Sequence, residues 1–127
     1  MTIRVHDLMP MFTAATADGT VVRYEDIWQR RNLLLVSLPG DDPTSSAYAA
    51  SLGVLESSLA AYEAVLLVVA TQIEGIPSPG VVVADRWGEV YHLQQADRAS
   101  ALPRPEDLID WLRFVRSECP ECQGETR

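Results

Sequence analysis

The stretch PGVVVADRWGEVYH (Pro79–His92) decides how this chain is read. It holds an apolar run, Val81–Ala84, then the polar turn Asp85–Gly88, then a second extended run, Glu89–Leu93. β-branched residues on either side of a short Asp/Gly turn predict an antiparallel hairpin. A strand that is apolar at every position needs cover on both faces, so this hairpin belongs inside a flanked sheet.

Working outward, two more all-apolar runs precede it, Leu33–Leu38 and Val65–Ala70. Between them Tyr48, Leu52, Leu55, Leu59 and Tyr62 alternate steps of four and three, the stripe of a helix over 45–62. Gly53 costs that helix about 1 kcal/mol against alanine, which predicts close packing on a neighbour there. Further upstream, Phe12–Ala15, the Asp18-Gly19 turn and Val21-Val22 predict a small hairpin, followed by a short helix over Tyr24–Arg31. Downstream, the last helix starts at Pro105, with Glu106 and Asp107 in its first turn and Leu108, Trp111, Leu112 and Val115 as its buried face. The order β-α-β, then β-hairpin, then α is the core of the thioredoxin fold: a mixed central sheet flanked by helices, here with an N-terminal hairpin.

With 127 residues the chain has the size of a single domain, read as residues 1–118 with a C-terminal tail over 119–127. The net charge is −8 and all ten cationic residues are arginine. An acidic surface repels phosphate backbones, which argues against a nucleic-acid partner. Without lysine, Schiff-base and P-loop lysine chemistries are excluded. No apolar run approaches the roughly 18 residues of a membrane helix, and the N-terminus lacks the apolar core of a signal peptide. A cytoplasmic protein with no membrane partner is expected.

Two segments resemble the peroxiredoxin-like (alkyl hydroperoxide reductase/thiol-specific antioxidant, or redoxin) branch of the thioredoxin-like superfamily. MPMFTAATADGTVVRYEDIWQRRNLLLVSLP (9–39) is similar to the family's opening, with Pro-x-Phe, an Asp-Gly turn and the first core strand. Pro79, Asp85 and Gly88 match the cis-proline strand and its hairpin. The resemblance covers roughly residues 8–117 and implies the thioredoxin-like fold. There are two departures from the pattern. Thr71–Pro79 must connect two core strands in nine residues, so the crossover helix before the cis-proline strand is expected to be lost. If the third strand starts at the same end of the sheet, the gap is about 10 Å, well within reach of nine residues.

The second departure is chemical. The family's catalysis needs a cysteine at the N-terminus of the first core helix, where helix N–H groups and the dipole lower the thiol pKa. Here the matching stretch is LPGDDPTSSAYAA (38–50), with no cysteine. Counting from Pro39 puts Ser46 at the peroxidatic place; aligning on Cys-x-x-Cys puts Asp42 and Ser45 there. Asp42 and Pro43 read as an N-cap and first helical residue, with Asp41 beside the positive end of the dipole. The alternative is a small-ligand site in which Ser45 or Ser46 hydrogen-bonds something anionic or polar. Pro79, expected to face this loop, reads as a turn proline or as a docking edge for partner peptides. Asp42, Ser45, Ser46 and Pro79 are thus read as a vacated family site.

The two cysteines lie in CPEC (Cys119–Cys122), just past the last helix. The negative end of that helix, with Glu118 and Glu121, opposes the thiolate, so thiols near or above the ordinary pKa of about 8.5 are expected. Cys119 and Cys122 are the candidate catalytic pair of a thiol–disulfide protein with a protein thiol partner, not a typical peroxidase. No cofactor is expected on that reading. The alternative is a non-catalytic binding or dimerisation module in which Cys119 and Cys122 form half of an inter-subunit zinc clip, since structural zinc takes four ligands. His6 and His92 read as surface or hydrogen-bonded residues, with His92 as an alternative further metal ligand. A sheet face left open by the lost crossover helix predicts a homodimer.

Overall fold

The computed structural model describes residues 3–16, 18–38 and 43–118. Four strands form one sheet in the order β4-β3-β5-β6: β3 (Asn32–Ser37), β4 (Ala64–Val69), β5 (Gly80–Ala84) and β6 (Val90–Gln95). β4 runs parallel to β3, while β5 is antiparallel to both β3 and β6. A separate N-terminal hairpin pairs β1 (Thr13–Ala15) with β2 (Val21–Arg23). This is the mixed sheet and N-terminal hairpin expected of a thioredoxin-like α/β fold.

The sheet separates two apolar layers by the period-2 alternation of β3. Leu34, Val36 and Leu38 face Tyr48, Leu52, Leu55, Leu108, Leu112 and Val115 on the helical side. Leu33 and Leu35 face Met9, Tyr24, Ile73 and Ile76 on the other. The last helix, α3 (Pro105–Glu118), begins at the proline as expected and buries Leu108, Leu112 and Val115.

The central helical segment differs from a single helix over 45–62. It runs as α1 (Pro43–Ser51), a 3-10 turn (Leu52–Leu55), α2 (Glu56–Leu59) and a second 3-10 turn (Ala60–Tyr62). In a 3-10 turn residues i and i+3 eclipse, so Leu52 and Leu55 both enter the core. Close packing at Gly53 is not found: a Cβ there would meet nothing within 4 Å. Tyr24–Arg31 likewise forms only a 3-10 turn, Tyr24–Asp26, followed by turns. Glu63, in the left-handed region at φ 53°, ends the central segment. There the Asn32 N–H donates to the Glu63 carbonyl (2.8 Å) and Asn32 Nδ2 to the Tyr62 carbonyl (2.9 Å), tying the helix end to the start of β3.

β4 and β5 are joined without a helix, as the nine-residue connection requires. Ile73 and Ile76 turn inward from this connection and fill the non-helical face, together with the N-terminal segment. That segment is held by paired bonds to β6: Val90 N–H to the Asp7 carbonyl (2.9 Å) and His6 N–H to the Val90 carbonyl (2.7 Å). The expected open face is therefore covered within the chain over β5, all five of whose residues are buried. The half-buried apolar residues of the sheet lie on its two edge strands, Val65, Leu66 and Val68 on β4 and Tyr91 and Leu93 on β6.

Gly80 opens β5 where this connection folds back on itself. A Cβ at Gly80 would collide with the Pro77 carbonyl and stand 2.9 Å from Pro77 Cγ. Gly80→Ala is therefore expected to cost about 1–3 kcal/mol by overpacking. Gly53→Ala, made in open space, is expected to gain about 0.4–1 kcal/mol by reducing the freedom of the unfolded chain. Urea midpoints of the two variants check the opposite signs.

Candidate functional site

The C-terminal end of β3 is where the sequence places its vacated site. Ser37 there pairs with Gly80, the residue after Pro79, and the Ser78–Pro79 peptide is cis. α1 begins close by in sequence, with Pro43 as its first residue and Ser45 and Ser46 in its first turn. The structure separates the two serines. Ser45 is buried against the sheet, in line with Tyr48 and Leu52, whereas Ser46 is exposed. The Oγ atoms of Ser45 and Ser37 are both buried with no hydrogen-bond partner among the described residues. Ser37 points to the face opposite α1, because it alternates with Val36, so the two hydroxyls do not meet. Pro79 donates nothing, and its carbonyl accepts the Ala96 N–H (3.2 Å). Asp41 and Asp42, with the capping role read for them, lie outside the described residues, as do Cys119 and Cys122.

The Asp85–Gly88 turn has the form its residues dictate. Asp85 Oδ1 accepts the backbone N–H groups of Trp87 and Glu89, both at 2.9 Å, and Gly88 takes φ 88°, where a side chain would be strained. Burial pushes the Asp85 carboxyl up, opposed by those N–H donors. Tyr24, fully buried against Gly88 and stacked on Phe12 (5.3 Å), has its phenol pushed up to about 12, first by burial and then by the Asp85 charge. This corner is a packed support for the hairpin.

Sequence reading missed a groove of about 700 Å³ between β6 and α3, lined by His92, Gln94, Leu102, Trp111 and Phe114 among others. The His92 ring stacks on Trp111 at 4.5 Å and 15°, and Phe114 meets Trp111 edge-on. His92 Nε2 lies 3.3 Å from Gln94 Oε1. No group of three or more potential metal-ligating side chains occurs among the described residues. His92 and Trp111 are legible separately, as a strand residue and a helix-face residue. Only the β5–β6 register, Val83 opposite His92, turns the imidazole toward α3. His6, by contrast, is exposed and pairs with Glu89 (2.8 Å).

Comparison with solved structures places this geometry. The chain superposes on a reduced 2-Cys peroxiredoxin from Plasmodium vivax with a TM-score of 0.72 at 12% identity, covering 96% of this chain and 91% of that one. The fold is thioredoxin-like. A thiol peroxidase from Chromobacterium violaceum (TM-score 0.67, 12% identity, 90% and 88% covered) is similar over most of its length. So is a thioredoxin-family thiol:disulfide interchange protein from Chlorobium tepidum TLS (0.63, 12%, 91% and 99%). No protein-family model and no curated protein matches the sequence. Among the described residues, no helix is long and apolar enough to cross a membrane.

Burial lowers the His92 pKa below its ordinary value, the Gln94 contact opposing this. The folded state therefore binds fewer protons than the unfolded chain once the pH drops below about 6.5. The contribution of His92 to stability is fully present above that pH and is lost as the pH falls toward the folded-state pKa. Wild type is expected to lose more stability than His92→Gln between about pH 7.5 and pH 5. Urea melts across that range measure the difference, which vanishes if the imidazole is not desolvated.

Proposed function

We propose that this chain is a redoxin-like protein that carries out no peroxide reduction at the usual pole of its fold and keeps its thiol–disulfide chemistry in Cys119 and Cys122. One observation carries this reading: the first turn of α1 holds Thr44, Ser45 and Ser46, and the only two sulfurs able to exchange disulfides follow α3. α3 ends at the other pole. Its Arg113 lies 3.5 Å from the Tyr62 hydroxyl, and Arg116 reaches Glu63, at the start of β3 and β4. Over the six residues of β3 the two poles are about 17–20 Å apart.

The chemistry separates along the same line. A hydroxyl at Ser45 or Ser46 cannot attack a peroxide or a disulfide productively, because the step needs a sulfur nucleophile. Cys119 as thiolate attacks one sulfur of a partner disulfide, forming a mixed disulfide and releasing the other sulfur as thiolate. Cys122 then displaces the remaining partner sulfur, leaving the Cys119–Cys122 disulfide and a reduced partner. The helix end opposes the thiolate, so exchange is slow at neutral pH.

A second reading, a non-catalytic binding or dimerisation module, draws support from β4, whose half-buried Val65, Leu66 and Val68 lie on an edge strand. A homodimer would cover them, and Cys119 and Cys122 of two chains would supply the four thiolates of a zinc clip.

On the first reading, the Cys119–Cys122 couple titrates between about −120 and −270 mV, insulin reduction is lost in Cys119→Ser, and peroxide turnover stays at background. Inert thiols outside that range select the second. Sedimentation equilibrium, with and without reductant and chelator, is expected to show a dimer at micromolar concentration. A 14.0 kDa monomer in every condition removes both the dimer and the zinc clip.

A further inference from the structure

Four guanidiniums gather around one carboxylate at the pole opposite Pro79. Arg30 and Arg31 precede β3, Arg86 lies in the β5–β6 turn, and Arg116 is in the last turn of α3. Glu63, at the end of the central helical segment, pairs with Arg86 through Oε1, and Arg116 Nη2 lies 3.6 Å from Oε2. The Arg86 side chain is 15% exposed and that of Glu63 43%, so the guanidinium is largely withdrawn from water while the carboxylate stays open to it. Arg30 and Arg31 are exposed and have no carboxylate partner among the described residues. Arg30, Arg31, Ala60, Glu63 and Arg86 line a hollow of about 310 Å³.

We propose that this hollow binds the phosphate or diphosphate group of a small molecule. Three of the ten cations of a chain with net charge −8 line this hollow from two turns, and Arg116 of α3 reaches its Glu63. Two like-charged exposed side chains beside the Arg86–Glu63 pair repel one another, and an anion relieves that repulsion. Guanidiniums present planar donor forks, which match phosphate oxygens two at a time. A carboxylate satisfies one fork. The tetrahedral oxygens of a phosphate accept from several directions at once, as these separate elements supply. The volume stands at the small end of ligand sites, enough for a diphosphate with a small attached group. The rest of the acidic surface selects for compactness, since a long polyanion leaving the hollow would meet net negative charge. The site does not depend on the thiols, nor on the reading of the vacated pole.

Calorimetric titration of the full chain with inorganic pyrophosphate and inorganic phosphate at low ionic strength tests this, with citrate as a polycarboxylate control. Pyrophosphate is expected to bind saturably and more tightly than citrate. Arg30→Ala/Arg31→Ala, at two exposed positions, weakens it at least tenfold while the urea midpoint stays near wild type. The single changes Arg30→Gln and Arg31→Gln each weaken it less. Glu63→Gln, which removes the carboxylate the anion must displace, tightens it. Absence of saturable binding to either phosphate probe, an affinity unchanged in the Arg30/Arg31 double variant, or tighter binding of citrate would each overturn the proposal.

Discussion

The structure rests on the double burial of one strand. From Asn32 to Ser37 no residue of β3 is more than 1% exposed, and β3 sits between a parallel neighbour and an antiparallel one. A strand so placed contributes stability only when both of its faces are covered at near-crystalline density. Every other element can be read as meeting that demand. The central helical segment and α3 supply the Leu34/Val36 side, and the N-terminal segment with Ile73 and Ile76 supplies the Leu33/Leu35 side.

The second cover is the unusual one. Nine residues stand between β4 and cis-Pro79, and their inward isoleucines do what a crossover helix would otherwise do. The geometry needs Gly80, because the Pro77 carbonyl occupies the space of a Cβ. It also needs the N-terminal segment, whose pairing with Val90 carries Met9 across the sheet. The exposed remainder lies at the edges, β4 and β6, with no whole face left bare.

The two poles of the sheet have consequently different chemistry. At the C-terminal end of β3 lie small hydroxyls, a cis proline and the entry to α1. At the N-terminal end lie Glu63 and the arginines, brought together by the ends of three connections and α3. In a thioredoxin-like fold the first pole is the one with helix N–H groups available to stabilise an anionic sulfur. The described residues of that pole carry no cysteine, and Arg30, Arg31, Arg86 and Arg116 gather at the other.

The sequence by itself determined the element order and most strand positions, because two-sided burial writes continuous apolar runs such as Leu33–Leu38 and Val81–Ala84. It also determined the start of α3 at Pro105 and the Asp85–Gly88 turn, whose geometry is local: an aspartate accepting N–H groups two and four residues on, and a glycine at positive φ. The breaks in the central helix were not legible, since Tyr48, Leu52, Leu55, Leu59 and Tyr62 suit a continuous helix, and the tightening at Leu52–Leu55 answers to the core beneath it. The stacking of His92 on Trp111 and the gathering of Arg30, Arg31, Arg86 and Arg116 around Glu63 were decided by tertiary structure alone. Side-chain pattern records which face a residue takes within its own element. Which residues from distant elements share a pole depends on strand order, direction and register, and those are settled only when the sheet closes its two layers.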